Sequence, residues 1–332
     1  GDVPGACENA IMIAERCNVS FTTADEGANY MPVFPVPEGE DITSWFVKEV
    51  ERGLHVRFGE KIPQDVRERA DYEVGVITQM GYPGYFLVVA DYINWAKDHG
   101  IRVGPGRGSG AGSIVAYALE ITELDPIKYD LLFERFLNPE RVSMPDIDVD
   151  FDERRRGEVI EYVEKKYGAD KVSQVVTFGT IKTKQALKDA ARVQGYPFEM
   201  GDRMTKALPP GVQGKDIPLS GIFDEKNERY QEAGDFRQLV QTDPDAKRVF
   251  DLASGLEGLT RQWGVHACAI LMGSVPLTDV IPVMKRPADG ATITQFEYPL
   301  CEELGILKMD FLGLSNLTVI DDALHNIKMN HK

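Results

Sequence analysis

The spacing of apolar residues predicts a chain that alternates between helical and extended segments. Apolar positions recur at helical spacing over residues 7–17, from about Ser44 onward and over residues 85–99, so helices are expected there. Residues 31–39 contain three prolines, which favour an extended linker.

Strict alternation of aspartate with apolar residues over 146–151 predicts a strand whose two faces differ in character. Most of residues 180–255 have a helical pattern. The remaining apolar runs predict further short strands at 101–103, 175–178, 267–272 and 307–311. Strands that flank a helical segment favour an α+β domain interrupted by a second, mainly helical one.

Composition narrows the class of protein. The 332-residue chain is 43% hydrophobic and 27% charged, as in an ordinary soluble globular protein of more than one domain. It has no apolar run long enough to span a bilayer and no signal-peptide pattern, and Gly1 in place of Met suggests a piece of a longer chain. The scattered cysteines form neither a disulfide framework nor a zinc site, and they predict buried free thiols in a reducing cytoplasm: Cys7, Cys17, Cys268 and Cys301.

The charge distribution leaves room for a nucleic-acid partner despite a net charge of −16. Residues 1–73 carry 15 acidic and 7 basic side chains, which accounts for half of the excess. Residues 153–206 carry 12 basic and 8 acidic side chains. A chain with such segregated charge can still present one basic face to phosphate.

The strongest chemical signal is the acidic strand. Asp146, Asp148 and Asp150 share one face, with neighbours roughly 6.6 Å apart. Aspartate is depleted in strands and like charges repel, so the row favours a compensating cation, and hard oxygen ligands suit Mg²⁺. The alternative is an acidic, solvent-facing edge strand.

A glycine-rich segment, residues 103–113 (VGPGRGSGAGS), lies between a predicted strand and a helix expected near 111–119. Glycines permit close backbone approach, successive N–H groups at a helix N-terminus bind anions, and Arg107 adds a forked donor. Phosphate binding is therefore favoured over a tight structural turn. The segment formally fits a relaxed dinucleotide fingerprint, but Glu123 and Asp125 lie in an unsuitable proline-containing loop, and no Walker pattern is present.

Two weaker patterns remain open. Lys308 and Asp310 share a face of the last predicted strand, either as a surface pair or as part of the acidic site if Asp310 packs beside Asp146 and Asp148. In that case the cluster is expected to have raised pKa values from mutual repulsion. Lys184, Lys188 and Arg192 follow one helix face, which suits either a phosphate backbone or plain solvent.

The order of these motifs resembles the alpha subunit of bacterial DNA polymerase III, a family C polymerase. The resemblance rests on residues 103–113, 133–141 (FERFLNPER), 144–151 (MPDIDVDF) and 308–314 (KMDFLGL), and it extends over nearly the whole chain. It implies a nucleotidyltransferase palm similar to that of DNA polymerase beta, with a helical thumb inserted.

Residue by residue, the resemblance implies catalytic and metal-binding roles for Asp146, Asp148 and Asp310, with two Mg²⁺ ions. It favours Asp146 and Asp148 over Asp150, which the strand geometry fits equally well. It also implies nucleotide-binding roles for one set of residues: Arg107, Gly108, Ser109, Arg135 and Lys308. Lys184, Lys188 and Arg192 become candidate DNA contacts of the thumb.

The implied organisation is an exit segment (1–30) from an absent phosphoesterase-like domain, a palm (31–177 and 263–314), a thumb (178–262) and the start of truncated fingers (315–332). Implied partners are primer–template DNA and dNTP, with a sliding clamp and other replisome subunits in the parent protein, and no membrane. The expected activity is DNA-directed DNA polymerisation, although this chain alone is expected to be inactive. The alternatives are a non-catalytic DNA-binding fragment and a dinucleotide-binding oxidoreductase, which requires a doubly wound parallel sheet.

Overall fold

The computed structural model describes residues 3–140 and 144–330, so Arg141 of the second resembling motif lies outside the described residues. Short 3₁₀ helices occur at Ala24–Glu26, Gly108–Gly112, Phe133–Arg135, Tyr230–Ala233 and Leu277–Asp279. The α-helices are α1 (Ala6–Arg16), α2 (Ile42–Phe58), α3 (Gln64–Gln79), α4 (Pro83–Asp98), α5 (Ile114–Ala118), α6 (Arg156–Tyr167), α7 (Thr183–Val193), α8 (Phe198–Ala207), α9 (Leu219–Ile222), α10 (Gly234–Thr242), α11 (Pro244–Leu256), α12 (Tyr298–Glu303) and α13 (Ser315–Asn330).

One mixed sheet is formed by β1 (Asp148–Asp152), β2 (Val172–Thr180), β3 (Thr260–Met272), β4 (Val283–Lys285), β5 (Thr292–Thr294) and β6 (Leu307–Leu314). Its strand order is β1-β6-β3-β2-β5-β4. β1 runs parallel to β6, whereas β3 runs antiparallel to β6. A mixed α and β fold with one sheet agrees with the expected α+β class. The sheet is not the doubly wound parallel one that the oxidoreductase alternative required.

The chain divides into two compact units, Gly1–Val176 with Val265–Lys332, and Thr177–Gly264. In the first unit, β3 sends alternate side chains into two apolar clusters: Ile270 and Met272 join the core of α2–α5, and Ala269 and Leu271 join the opposite one. In the second unit, helices α7–α11 enclose a separate core around Leu187, Phe236 and other apolar residues.

Several element predictions need correction. Residues 101–103 form only an isolated bridge, Val103 with Phe151. The expected helix near 111–119 begins at Ile114, because Gly108–Gly112 is a tight 3₁₀ turn. Asp146 precedes β1 rather than lying within it, and β4 and β5 were not predicted because each is only three residues long. The prediction of buried thiols is wrong for Cys7 and Cys17, which are exposed, while Cys301 is buried.

Within the described residues, every helix is too short or too polar to cross a membrane.

Candidate metal centre

The parallel pairing of β1 with β6 brings aspartates together from distant parts of the chain. Asp148 lies opposite Asp310 in the register. One carboxylate oxygen from each of Asp146, Asp148 and Asp310 lies within 4.8 Å of the others. Asp310 therefore packs beside the aspartate row, as expected if the two acidic motifs form one cluster.

Asp146 has no place in the strand ladder, and a hydroxyl from α4 fixes its segment instead. The amide of Ile147 donates a hydrogen bond of 2.9 Å to Oη of Tyr85. Tyr85 is buried in the main apolar core, so this hydroxyl is a fixed point. The position of Asp146 thus depends on a residue that the sequence patterns did not identify.

The environment of Asp310 fits a divalent cation. Asp310 is only 3% exposed, and its Oδ2 lies 2.6 Å from Nζ of Lys308. Its Oδ1 is buried and accepts no hydrogen bond from the residues that the structure describes. A buried carboxylate oxygen without a donor is costly, whereas a hard cation such as Mg²⁺ would satisfy it.

The pKa of the Asp146 carboxyl is raised, as expected, but mutual repulsion is not the main cause. Burial is the largest cause that raises the pKa of the Asp146 carboxyl, and the neighbouring charges of Asp310 and Asp148 raise it further. The ammonium of Lys308 acts in the opposite direction. Repulsion is present, but desolvation outweighs it.

Two basic side chains act as counter-charges to the acids. Lys308 bridges Asp310 and Asp146, with Nζ 3.5 Å from Oδ2 of Asp146. Arg107 lies 3.4 Å from Oδ2 of Asp148 and 3.6 Å from Oδ1 of Asp150. Both residues were expected near a triphosphate, and here both contact the carboxylates.

Asp150 stands apart from the metal cluster in this geometry. It is not among the three carboxylates that converge. Its carbonyl accepts a hydrogen bond of 2.7 Å from the amide of Gly104, and its side chain packs against the same glycine. Burial raises the pKa of this carboxyl, and Arg107 opposes the change.

Close packing explains several glycines of the loop. A Cβ on Gly112 would lie 2.6 Å from the carbonyl oxygen of Leu132, and a Cβ on Gly106 would lie 2.8 Å from Thr122. Gly108 differs, because it is exposed, has φ +63° and would place a Cβ 4.0 Å from Asp148 Oδ2. Steric crowding in a tight turn therefore accounts for Gly106 and Gly112 without any ligand, which the sequence pattern did not indicate. Gly108 and the exposed Ser109 lie next to the acidic cluster instead.

The N-terminus of α5 is already occupied by a carboxylate of the protein. Oε2 of the buried Glu73 accepts hydrogen bonds from Ser113 Oγ (2.7 Å) and the amide of Val115 (3.2 Å). Oε1 accepts one from Nε of Arg69 at 2.7 Å. Glu73 thus takes up donors at this helix end, and the prediction of phosphate binding depends on the exposed part of the loop, Gly108 and Ser109.

The other residues predicted to contact nucleotide or DNA differ in the partners that they have within the protein. Arg135 is exposed at the end of a 3₁₀ helix and forms no ion pair within the described ranges. In the second unit, Lys184 pairs with Asp216 at 2.8 Å and Arg192 with Asp189 at 3.3 Å. Lys188 instead lies 5.6 Å from the ring centroid of Phe198.

Three successive arginines follow β1, and each contacts another part of the protein. Arg156 donates from Nε to the carbonyl of Phe311 at 2.5 Å, which holds β6 next to Asp310. Arg154 pairs with Asp322 at 2.8 Å, and Arg155 with Glu158 at the same distance. These three arginines therefore brace the protein itself.

The comparisons with known proteins agree with the motif order. The model of the bacterial DNA polymerase III alpha NTPase domain family matches residues 44–313, and the chain belongs to this family. Proteins named DNA polymerase III subunit alpha from Mycobacterium tuberculosis and Mycobacterium leprae are each 59% identical over 331 residues, or 99% of this chain. One from Neisseria meningitidis is 45% identical over 336 residues, covering 98% of the chain. The chain spans 28% of the length of each of these relatives.

Proposed function

We propose that the chain is the catalytic core of a DNA-directed DNA polymerase of bacterial chromosome replication. Within the whole polymerase, it would transfer nucleotides from dNTPs to a primer 3′-hydroxyl. Family membership supports the reaction class. The observation that carries the assignment is the convergence of Asp146, Asp148 and Asp310 around a buried carboxylate oxygen that lacks a donor.

In this proposal, residues 31–177 and 263–314 form the palm and residues 178–262 the thumb. The palm would hold the acidic cluster, and the thumb would face the primer–template through Lys184, Lys188 and Arg192. The implied partners are DNA and dNTP, and, for the whole polymerase, a sliding clamp and other replisome subunits.

Asp146, Asp148 and Asp310 would hold two Mg²⁺ ions, with Asp310 on the side of the primer hydroxyl. Bound there, the metal would act as a Lewis acid towards the 3′-hydroxyl and the departing pyrophosphate. Oδ1 of Asp310 offers a ligand, because it accepts no hydrogen bond of normal geometry in the described part of the chain. The neighbouring Cys268 thiol, whose pKa is raised by burial and by the Asp310 carboxylate, is only a weak donor. Catalysis would thus depend on positioning and charge compensation rather than on covalent chemistry.

The phosphate oxygens would be bound by the chain's own donors. Gly108 and Ser109 are exposed beside Asp148, so their backbone can approach a ligand closely. Arg107, Arg135 and Lys308 would neutralise triphosphate charge, and a guanidinium can donate to two oxygens at once.

Metal and nucleotide binding provide a direct test. Mn²⁺ titration followed by electron paramagnetic resonance is expected to show saturable binding, and a fluorescent dATP analogue is expected to bind only with Mg²⁺ or Mn²⁺ present. Asp148→Asn is expected to weaken both by at least about tenfold, since one charged ligand is lost. Asp322→Asn is the matched control, because its side chain is 54% exposed and pairs with Arg154.

The opposite pattern would contradict the proposal. Duplex DNA binding without metal dependence, combined with no detectable triphosphate binding, would favour a non-catalytic DNA-binding fragment.

A further inference from the structure

Lys308 lies between two of the proposed metal ligands. It precedes Asp310 by two residues in β6, so both side chains project from the same face of the sheet. Its Nζ lies 2.6 Å from Oδ2 of Asp310 and 3.5 Å from Oδ2 of Asp146. The side chain is 16% exposed, so these contacts are only weakly screened by solvent.

The ammonium and a divalent cation would compete for the same oxygens. Lys308 compensates one of the three negative charges in the cluster, and it does so from within hydrogen-bond distance of Asp310. A cation bound to Asp146 and Asp310 would place two positive charges close to a third, and their repulsion is large where solvent is excluded. In the absence of another anion, the positive charge of Lys308 therefore opposes binding of the metal.

In the same position, Lys308 also contacts a partner that carries no charge. Its Nζ lies 4.8 Å from the ring centroid of Tyr298, at the start of α12. A cation over a tyrosine ring retains favourable electrostatic energy. The side chain can therefore leave the carboxylates without losing every favourable partner.

We propose that Lys308 makes metal binding depend on the triphosphate. This inference rests on the proposed function. Without nucleotide, the ammonium neutralises Asp146 and Asp310 and weakens binding of the metal alone. With nucleotide, the triphosphate supplies the negative charge that the ammonium needs, so metal and triphosphate bind with positive coupling, which by linkage acts equally in both directions.

Arg107 shows why the effect is assigned to Lys308. Its shortest contact to a carboxylate, 3.4 Å to Asp148, is longer than the 2.6 Å between Lys308 and Asp310, and half of its side chain is exposed. Its other partner, Asp150, lies outside the cluster of three carboxylates. Arg107 thus competes less directly for the proposed metal ligands.

The test compares Lys308→Met with Lys308→Arg, which keeps the charge, and with Lys165→Met, an exposed lysine paired with Glu161 at 3.8 Å on α6. Mn²⁺ binding is followed by electron paramagnetic resonance without nucleotide. Binding of a fluorescent dATP analogue is followed at saturating Mg²⁺. Thermal unfolding by circular dichroism establishes that each variant is folded.

Lys308→Met is expected to bind Mn²⁺ alone about tenfold more tightly, because a neighbouring positive charge is removed. The same variant is expected to bind the analogue about tenfold more weakly, because one charge-assisted contact to phosphate is lost. Lys308→Arg is expected to keep the weak Mn²⁺ binding, and Lys165→Met is expected to match the unmodified chain in both measurements.

Unchanged or weaker Mn²⁺ binding by folded Lys308→Met would overturn the inference, as would changes of the same sign in both measurements. The proposed function fails by a different result, namely Mn²⁺ binding that is insensitive to Asp148→Asn. The two failures are therefore distinguishable.

Discussion

The acidic cluster of the first unit and the basic stripe of the second (Lys184, Lys188, Arg192) hold like charges in different ways. In the cluster, the β1–β6 register fixes Asp148 opposite Asp310, and one buried oxygen is left without a protein donor. In the stripe, two of the three basic side chains have a nearby aspartate. Each group thus has two counter-charges for three like charges. The difference is that the cluster keeps a buried oxygen without a donor, whereas Lys184 and Arg192 of the stripe are exposed to solvent.

The difference follows from the two kinds of secondary structure. A strand ladder fixes neighbouring side chains a few ångströms apart, so repulsion among them cannot relax by moving the backbone. Long side chains on an exposed helix face can each turn towards an acid. Charge that the fold holds in place despite its cost is the better indicator of a ligand.

Asp310→Asn should give the largest effect on binding. Loss of the charged ligand is expected to weaken Mn²⁺ binding by about a hundredfold or more, since the charge and its contacts are lost together. Stability should change by no more than about 1 kcal/mol, because less repulsion offsets the lost pairing with Lys308. Calorimetric titration and thermal unfolding measure the two quantities. Asp150→Asn is the control, and an effect equal to that of Asp310→Asn would place Asp150 among the ligands.

Glu73→Gln is expected to lower the stability of the fold while leaving Mn²⁺ affinity nearly unchanged, the reverse of Asp310→Asn. Both oxygens of Glu73 accept hydrogen bonds, so an amide NH₂ would face a donor in a buried site. Stability should fall by about 2 kcal/mol, while Mn²⁺ affinity should stay within about twofold. A thermal melt combined with Mn²⁺ titration checks both values. A large loss of Mn²⁺ affinity in a folded variant would mean that this helix end acts on the metal site after all.

Tyr85→Phe and Tyr92→Phe form a matched pair on α4. The hydroxyl of Tyr85 accepts the hydrogen bond from Ile147, whereas that of Tyr92 is buried and has no partner in the described part of the chain. Tyr85→Phe should cost about 1 kcal/mol and weaken Mn²⁺ binding severalfold, because Asp146 loses its anchor. Tyr92→Phe should be neutral or slightly stabilising. Equal effects of the two changes on Mn²⁺ affinity would show that the Tyr85 hydroxyl does not position Asp146 for metal binding.

The sequence supports prediction of the strands and of the acidic cluster because both depend on local alternation. The run over residues 146–151 has a period of two, and the same period in 307–311 places Lys308 and Asp310 on one face. Whether Asp310 completes the acidic site was left open by the sequence and was decided by the strand pairing. The motif order alone identified the family, which the match over residues 44–313 then established.

The remaining features depend on contacts between residues far apart in the chain. Glu73 is 40 residues from Ser113, and Tyr85 is 62 residues from Ile147, so no local pattern announces either partnership. The glycines at 106 and 112 signal crowding by Thr122 and Leu132 as much as a ligand. Strands β4 and β5 are too short to show an alternation.

The smallest expected effect concerns the basic stripe, and it separates Lys188 from Lys184. Lys184 already pairs with Asp216, so contact with a DNA phosphate would require it to exchange one partner for another. Lys188 has no carboxylate within 4.0 Å among the described residues. It lies beside the ring of Phe198, and its charge reaches Asp202 only at longer range, where it helps to lower the pKa of that carboxyl. Lys188→Glu should therefore weaken primer–template binding a few-fold and reduce the salt slope by about 1, independent of DNA sequence. Lys184→Glu should change the slope less, and Lys165→Glu in the first unit serves as the control. Fluorescence anisotropy over a range of salt concentrations measures these slopes. An unchanged slope for Lys188→Glu would show that the stripe is an ordinary solvated helix face.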